Sequence, residues 1–195
     1  MGRTAGRSPS DTRRAVLEAA GEVIRTRGLH ASLDDIARHA GVSKGGLIYH
    51  FASKDELLLE LARDLIARFR TDVLSRLDPH DTAPGRFTRA YIRALLAPPE
   101  DEAAVRRSIA LTSQLSTVPA VAALVDADTE QLNEELLADG LPLDVMTLVT
   151  AAADGVSSAP MWGAAVDTPE HRELEKRLIH LTHNPSLWQS APWPE

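Results

Sequence analysis

The chain is predicted to be an all-α protein. Apolar residues recur at i, i+3, i+4 and i+7 along nearly its whole length, prolines fall at the ends of those runs, and no stretch sustains the alternation of a strand. About nine helices are expected, as an N-terminal three-helix helix-turn-helix head followed by a helical C-terminal domain. With 195 residues, 44% of them hydrophobic, the chain can bury one sizeable core or two small ones.

Residues 1–9 read as a flexible arm, in which Arg3 and Arg7 either reach a DNA backbone or minor groove or make no contact. Ser8-Pro9 with Asp11 is a helix start, and Val16, Ala19, Ala20, Val23 and Ile24 make the apolar stripe of a first helix ending near Arg27-Gly28. Ser32 and Asp35 open a second helix whose apolar face is Leu33, Ile36, Ala37 and Ala40. Gly41 stops it, because a residue without a Cβ takes a left-handed turn cheaply. Ser43 then caps a third run, with Leu47, Ile48 and Phe51 as the expected buried side. Two helices joined by so short a glycine-containing turn form a helix-turn-helix, at about 33–52 of a head spanning 10–53.

Ser53-Lys54-Asp55-Glu56 is a capping box opening a linking helix over 54–77, with Leu57, Leu58, Leu61, Leu65, Ile66, Phe69, Val73 and Leu77 at helical spacing. A C-terminal domain over 78–184 is expected to hold helices near 85–97, 101–115, 119–138, 142–162 and 169–183, followed by an irregular tail over 185–195. Phe87, Tyr91 and Leu95 share one side of the first of these.

The net charge of −7 divides unevenly. Residues 1–70 carry 12 Lys+Arg against 9 Asp+Glu, and residues 71–195 carry 9 against 19. DNA affinity must therefore come from the head. The absence of cysteine excludes disulfides, thiolate metal sites and cysteine nucleophiles. No uncharged apolar run reaches membrane-spanning length and the first residues do not form a secretory signal, so a soluble, cytoplasmic protein is expected. No nucleophile elbow, phosphate loop or H-E-x-x-H pattern is present, and no enzyme activity or cofactor is expected.

The candidate DNA contacts are Ser32, Ser43, Lys44, Gly45, Gly46, Tyr49, His50 and Lys54. Gly45 and Gly46 each cost roughly 0.8–1.0 kcal/mol against alanine within a helix, a cost expected where another surface approaches the backbone or where packing on the second helix must be relieved. Lys44 can reach a base edge such as the guanine O6/N7 pair, or a phosphate. Tyr49, His50, Lys54 and the hydroxyls of Ser32 and Ser43 can donate to phosphate oxygens.

The text T-R-R-A-V-L-E-A-A at 12–20 and G-L-H-A-S-L-D-D-I-A-R-H-A-G-V-S-K-G-G-L-I-Y-H-F-A-S-K-D-E-L at 28–57 resembles the N-terminal domain of the TetR (tetracycline-repressor) family of transcriptional regulators. The V-S-K-G-x-L-x-x-x-F-x-S-K-x-x-L pattern is specific to that family; the resemblance covers about a third of the chain. Where many members have threonine and then Leu-Tyr-x-Tyr-Phe, this chain has Gly46 and then Leu47-Ile48-Tyr49-His50-Phe51, losing one hydroxyl. The resemblance implies a homodimeric repressor on double-stranded DNA, one third helix per half-site of a palindromic operator, released by a small-molecule effector, with 78–184 as the ligand-binding, regulatory and dimerisation domain. A small-molecule-binding or scaffold protein of the same fold that does not act at an operator, or a transcriptional activator, are the alternatives.

The run Ala151 to Ala159 is nearly all small residues, which lets helix backbones approach closely. With Leu174, Leu178 and Leu181 it fits a dimeric four-helix bundle, with Leu148, Ala152, Gly155, Val156 and Ala159 at the interface. An intrachain core would show the same pattern. Phe87, Tyr91, Met146, Met161 and Trp162 suit the lining of an apolar ligand pocket or plain core. The acidic run Asp126, Asp128, Glu130, Glu134 and Glu135 reads as a solvated face. His180 and His183 lack a third ligand, and no metal is expected.

Overall fold

The first four helices each start where a serine hydroxyl replaces the missing intrahelical acceptor. In the computed structural model, which describes residues 8–190, the Oγ atoms of Ser8, Ser32, Ser43 and Ser53 accept from the backbone N–H three residues on, at 3.1, 3.2, 3.0 and 3.1 Å. They open α1 (Pro9–Arg27), α2 (Leu33–Ala40), α3 (Lys44–His50) and α4 (Lys54–Ser75). The carboxylates of Asp11 and Asp35 return the bond to the capping serine's own N–H, completing two capping boxes. At α4 the expected box is altered: Glu56 accepts instead from the N–H of Ala52, at 2.7 Å. The helix also ends at Ser75, short of the expected 77.

Beyond α4 lie α5 (Arg86–Leu96), α6 (Glu102–Leu115), α7 (Pro119–Leu137), α8 (Leu143–Ser158) and α9 (Pro169–His183). The tail expected to be irregular includes one further turn, α10 (Ser186–Gln189). No strand occurs among the described residues. Arg3 and Arg7 of the expected arm, and the last five residues of the expected tail, lie outside them.

The chain divides into two compact units. The first comprises the residues up to Ile66 together with Ala110–Asp126, the second Ala67–Ile109 and the residues from Ala127 on. This differs from the consecutive domains expected, because the end of α6 and the start of α7 complete the head's core. That core joins Val16, Ala20 and Ile24 of α1, Ile36 of α2, Leu47, Phe51, and Leu57 and Leu61 of α4 with Leu111, Leu115 and Val121. Gly21 admits α6, since a Cβ there would stand 3.3 Å from the Leu111 side chain.

The second unit is built on α5, whose Thr88, Arg89, Ala90, Tyr91, Ile92 and Leu96 are buried. Its first turn has no side-chain cap of its own: Gly85 sits there at φ 86°, where an added Cβ would come within 2.8 Å of Leu141. The cap arrives from α7's end instead. Asp139 accepts from the N–H of Phe87 and Thr88 and from the Thr88 hydroxyl at 3.0, 2.7 and 2.8 Å. One side of α5 packs with Val145, Val149, Ala153 and Leu178. Another packs with Phe69, Val73, Leu132, Leu136 and Met146.

Arg89 is fully buried, and all five of its N–H donors are used. It forks onto Asp81 at 2.6 and 2.8 Å and donates to the carbonyls of Ala83 and Pro84 and to the Thr182 hydroxyl. The loop before α5 is thereby tied to α9, and the hydrogen bond from Arg89 holds the Asp81 carboxyl below its ordinary range.

Candidate nucleic-acid interface

The rotation of α3 about its axis is set by two anchors one turn apart. Leu47 and Phe51 are fully buried in the head's core, so the opposite side faces outward. Tyr49 stands at its centre, 82% exposed, its ring edge-on to His50 with centroids 5.2 Å apart. Ile48, expected on the buried side, is 43% exposed. The reason is geometric: a two-turn helix already anchored at Leu47 and Phe51 turns its other positions out of the core.

Lys44 and Gly45 are exposed at the start of α3. The Lys44 ammonium lies 2.7 Å from Asp34 of α2, and both side chains are about half exposed. Such surface pairs contribute roughly 0–1 kcal/mol, so Lys44 can leave Asp34 for an anionic partner at small cost. A Cβ at position 45 would meet nothing within 4 Å. Packing within the protein therefore gives Gly45 no reason to be glycine, whereas close approach of an outside surface would. A Cβ on Gly46 would stand 3.2 Å from the Ser43 hydroxyl that caps the helix, which supplies an internal reason at that position.

Ser32 and Ser43 are exposed and occupied as caps. The Ser32 hydroxyl and N–H, with Arg27 beside them, hold Asp35 down at about 2. Lys54 is partly buried and donates to the carbonyl of Leu29, tying the first turn of α4 to the link between α1 and α2. Its position thus differs from that of the other named residues, all of which lie on α3 or at the caps of α2 and α3.

Arg13 was not among the expected site residues, yet it helps to set the aim of α3. Its guanidinium lies 5.1 Å from the centroid of the Phe51 ring and also pairs with Glu60 of α4. Arg63, first, and Arg13 lower the Glu60 carboxyl below its usual range. The only signal for this in the sequence is an arginine one turn ahead of the α1 stripe, and no spacing rule pairs it with residues 38 and 47 positions later.

A family model of bacterial regulatory proteins, tetR family, matches residues 16–61, and one of a tetracyclin repressor-like C-terminal domain matches residues 85–183. The chain belongs to the tetR family. It is 40% identical over 96 residues to the HTH-type transcriptional repressor KstR2 of Mycobacterium tuberculosis, covering 47% of this chain and 48% of that relative. The chain thus spans about half the length of that relative. It is 34% identical over 169 residues to the HTH-type transcriptional activator FasR of Mycolicibacterium smegmatis, covering 82% of this chain and 76% of that one. A solved transcriptional regulator from Saccharomonospora viridis, in complex with choline, has the same fold, with a TM-score of 0.65 at 22% identity over 89% of this chain and 96% of the other.

In the tetR-family C-terminal region, Phe87, Tyr91 and Met146 come together in one apolar cluster with Phe69 edge-on to Tyr91. The Tyr91 hydroxyl donates to Asp154 at 2.5 Å. Burial, and then the Asp154 bond, push the phenol above its ordinary value, and burial raises Asp154 despite that bond. Asp154 is exposed as a residue, with its carboxylate withdrawn where it meets Tyr91.

Met161 and Trp162 do not join this cluster. Helix α8 ends at Ser158, and Ala159–Trp162 is a single 3-10 turn that leaves Met161 48% and Trp162 86% exposed. Pro160 has no N–H to continue the α-helical ladder, and Gly163, at φ 90°, closes the turn.

Of the expected dimer residues, Ala152, Val156, Leu174, Leu178 and Leu181 pack within their own chain around α5. Leu148 and Ala159 are half-buried, and Gly155 is exposed. The outward strip of α8 carries Thr147, Ala151, Gly155 and Ser158. His180 and His183 are exposed, and no group of side chains suited to a metal ion occurs among the described residues. Nor is any single helix there long and apolar enough to cross a membrane.

Proposed function

We propose that the protein is a transcriptional regulator that binds double-stranded DNA as a homodimer, one α3 in each half-site of a palindromic operator, and that a small-molecule effector releases it. The observation that carries this reading is α3 itself: Leu47 and Phe51 hold it in the core while Lys44, Gly45 and Tyr49 stand outward. Lys44 then meets a base edge or phosphate, Tyr49 and His50 donate to phosphates, and Gly45 lets the backbone approach. We assign dimerisation to α8 and α9, where Leu148, Ala152, Val156, Ala159, Leu174 and Leu181 are only half-buried and the exposed strip with Gly155 carries small residues.

The effector belongs in the second unit at the packed Phe87, Tyr91 and Met146 cluster, whose apolar side chains would part to admit it and where the Tyr91–Asp154 pair offers one oriented polar contact. The choline complex of the Saccharomonospora viridis regulator supports a small-molecule site in this fold. Helix α4 is the proposed lever. It is one helix from Lys54 to Ser75, and Arg70 near its end donates to Asp128 and Glu135 at 3.0 and 2.6 Å. Release requires that the effector bind the DNA-incompetent state more tightly, because equal affinity for both states shifts nothing.

Affinity for a palindromic fragment from the gene's own upstream region, measured across salt concentrations, tests the reading. A steep negative dependence of log affinity on log salt is expected, and Lys44→Ala should make its slope shallower by about 1 if the contact is to phosphate. Equal affinity for palindromic and scrambled duplexes would overturn it. KstR2 is a repressor and FasR an activator, so the sign of regulation follows from where the operator lies relative to the promoter.

A further inference from the structure

We propose that Ile48 is a specificity-determining residue that reads the 5-methyl group of a thymine in each half-site; this rests on the DNA-binding reading above. Ile48 is an apolar side chain 43% exposed on a helix whose core-facing positions, Leu47 and Phe51, are already filled. On a helix surface, residues three and four apart are neighbours, so Ile48 stands beside Gly45 and Lys44. Gly45 has nothing within 4 Å of where its Cβ would be, and Lys44 is held only by an exposed pair with Asp34. The surface around Ile48 is therefore open to close approach and carries a positive charge on its N-terminal side.

Isoleucine can neither donate to a phosphate nor accept from a base. Among the groups that base pairs present in the major groove, the thymine methyl is the apolar one. Branching at Cβ leaves isoleucine one strongly preferred χ1 rotamer in a helix, so little side-chain freedom is lost when the contact forms. A flexible or polar residue would lack this combination of stiffness and methyl-to-methyl complementarity. Tyr49, turned onto the His50 ring, remains available for the backbone, so reading and positioning fall to adjacent residues.

The test uses the full-length protein and a duplex selected by it from random sequences. Each thymine is replaced singly by deoxyuridine, which removes only the methyl group, and affinities are measured for the native protein, Ile48→Ala and Ile48→Val. At one symmetry-related thymine per half-site, the replacement should weaken the native protein about fourfold, equivalent to roughly 0.8 kcal/mol for one buried CH2-sized group. Ile48→Val should keep most of that sensitivity and Ile48→Ala should lose it, binding both duplexes alike. The proposal is overturned if every deoxyuridine duplex discriminates the native protein and Ile48→Ala equally, or if no thymine replacement matters while sequence-specific binding persists. A selection that enriches no sequence would overturn the DNA-binding reading itself, which separates the two failures.

Discussion

The two units of the protein are held together by different kinds of interaction. In the first, the polar bonds that start helices span three residues: Ser8 to Asp11, Ser32 to Asp35, Ser43 to Gly46. In the second, α6 and α9 also start on local caps, at Asp101 and Thr168, but the helix at its centre and that helix's surroundings are tied across the chain. Asp139 caps α5 from 51 and 52 residues away, Tyr91 meets Asp154 across 63, and Arg89 meets Thr182 across 93. Under the proposed function, the DNA-reading helix has a rigid, locally specified seat, and the ligand-answering region is assembled from contacts between distant segments that can repack. The difference predicts that single changes in the second unit cost more stability, and that changes on α3 alter binding while leaving the fold intact.

The largest effect is expected at Arg89. Replacing it with alanine strands the largely buried Asp81 carboxylate and two carbonyls, and breaking such a pair costs about 3–5 kcal/mol. Chemical denaturation should show the midpoint falling sharply, and a midpoint within experimental error of the native one would remove the contrast between the units. Asp139→Ala comes next. It leaves the N–H groups of Phe87 and Thr88 without their acceptor, at about 1–3 kcal/mol. Ser32→Ala, its counterpart in the head, should cost only about 1 kcal/mol, the usual value of an N-cap. If Ser32→Ala proved costlier than Asp139→Ala, the local-versus-distant distinction would have to be reversed.

Acid sharpens the comparison further. The carboxyls of Asp35 and Asp81 are both lowered by their folded-state partners, so each contributes stability above the ordinary aspartate range that is lost as pH falls through the folded value. For Asp35 that window runs from the ordinary value of 3.8 down to about 2. Denaturation midpoints should therefore decline over this range, and Asp81→Asn should flatten part of the decline. A native protein whose stability rises on acidification through this window would contradict both assignments.

How much of this could be read from residues alone differs between the units for the same reason. The helices from α1 to α9 were legible, because the 3.6-residue period, and proline or serine at most of their starts, act within one or two turns. The outward side of α3 was legible for Lys44, Gly45 and Tyr49 but not for Ile48, since two turns of helix do not define the width of a buried face. The stripes of α8 and α9 showed that something apolar packs there, but the same pattern serves a partner chain or the chain's own α5; Leu178 is buried against α5, while Ala152, Val156, Leu174 and Leu181 are half-buried. Met161 and Trp162 kept helical spacing with the pocket candidates until Pro160 broke the register.

By itself, then, the sequence determined the all-α class, the helix starts, the helix-turn-helix and its family, all of which follow from interactions between residues close in the chain. Only the tertiary structure decided that the head borrows Leu111, Leu115 and Val121 for its core, that Arg13 braces Phe51, and that Arg89 is buried with every donor used. Those pairings join residues far apart in sequence. No local periodicity records which distant partner satisfies a buried group, because that choice is made by the packing of the whole chain.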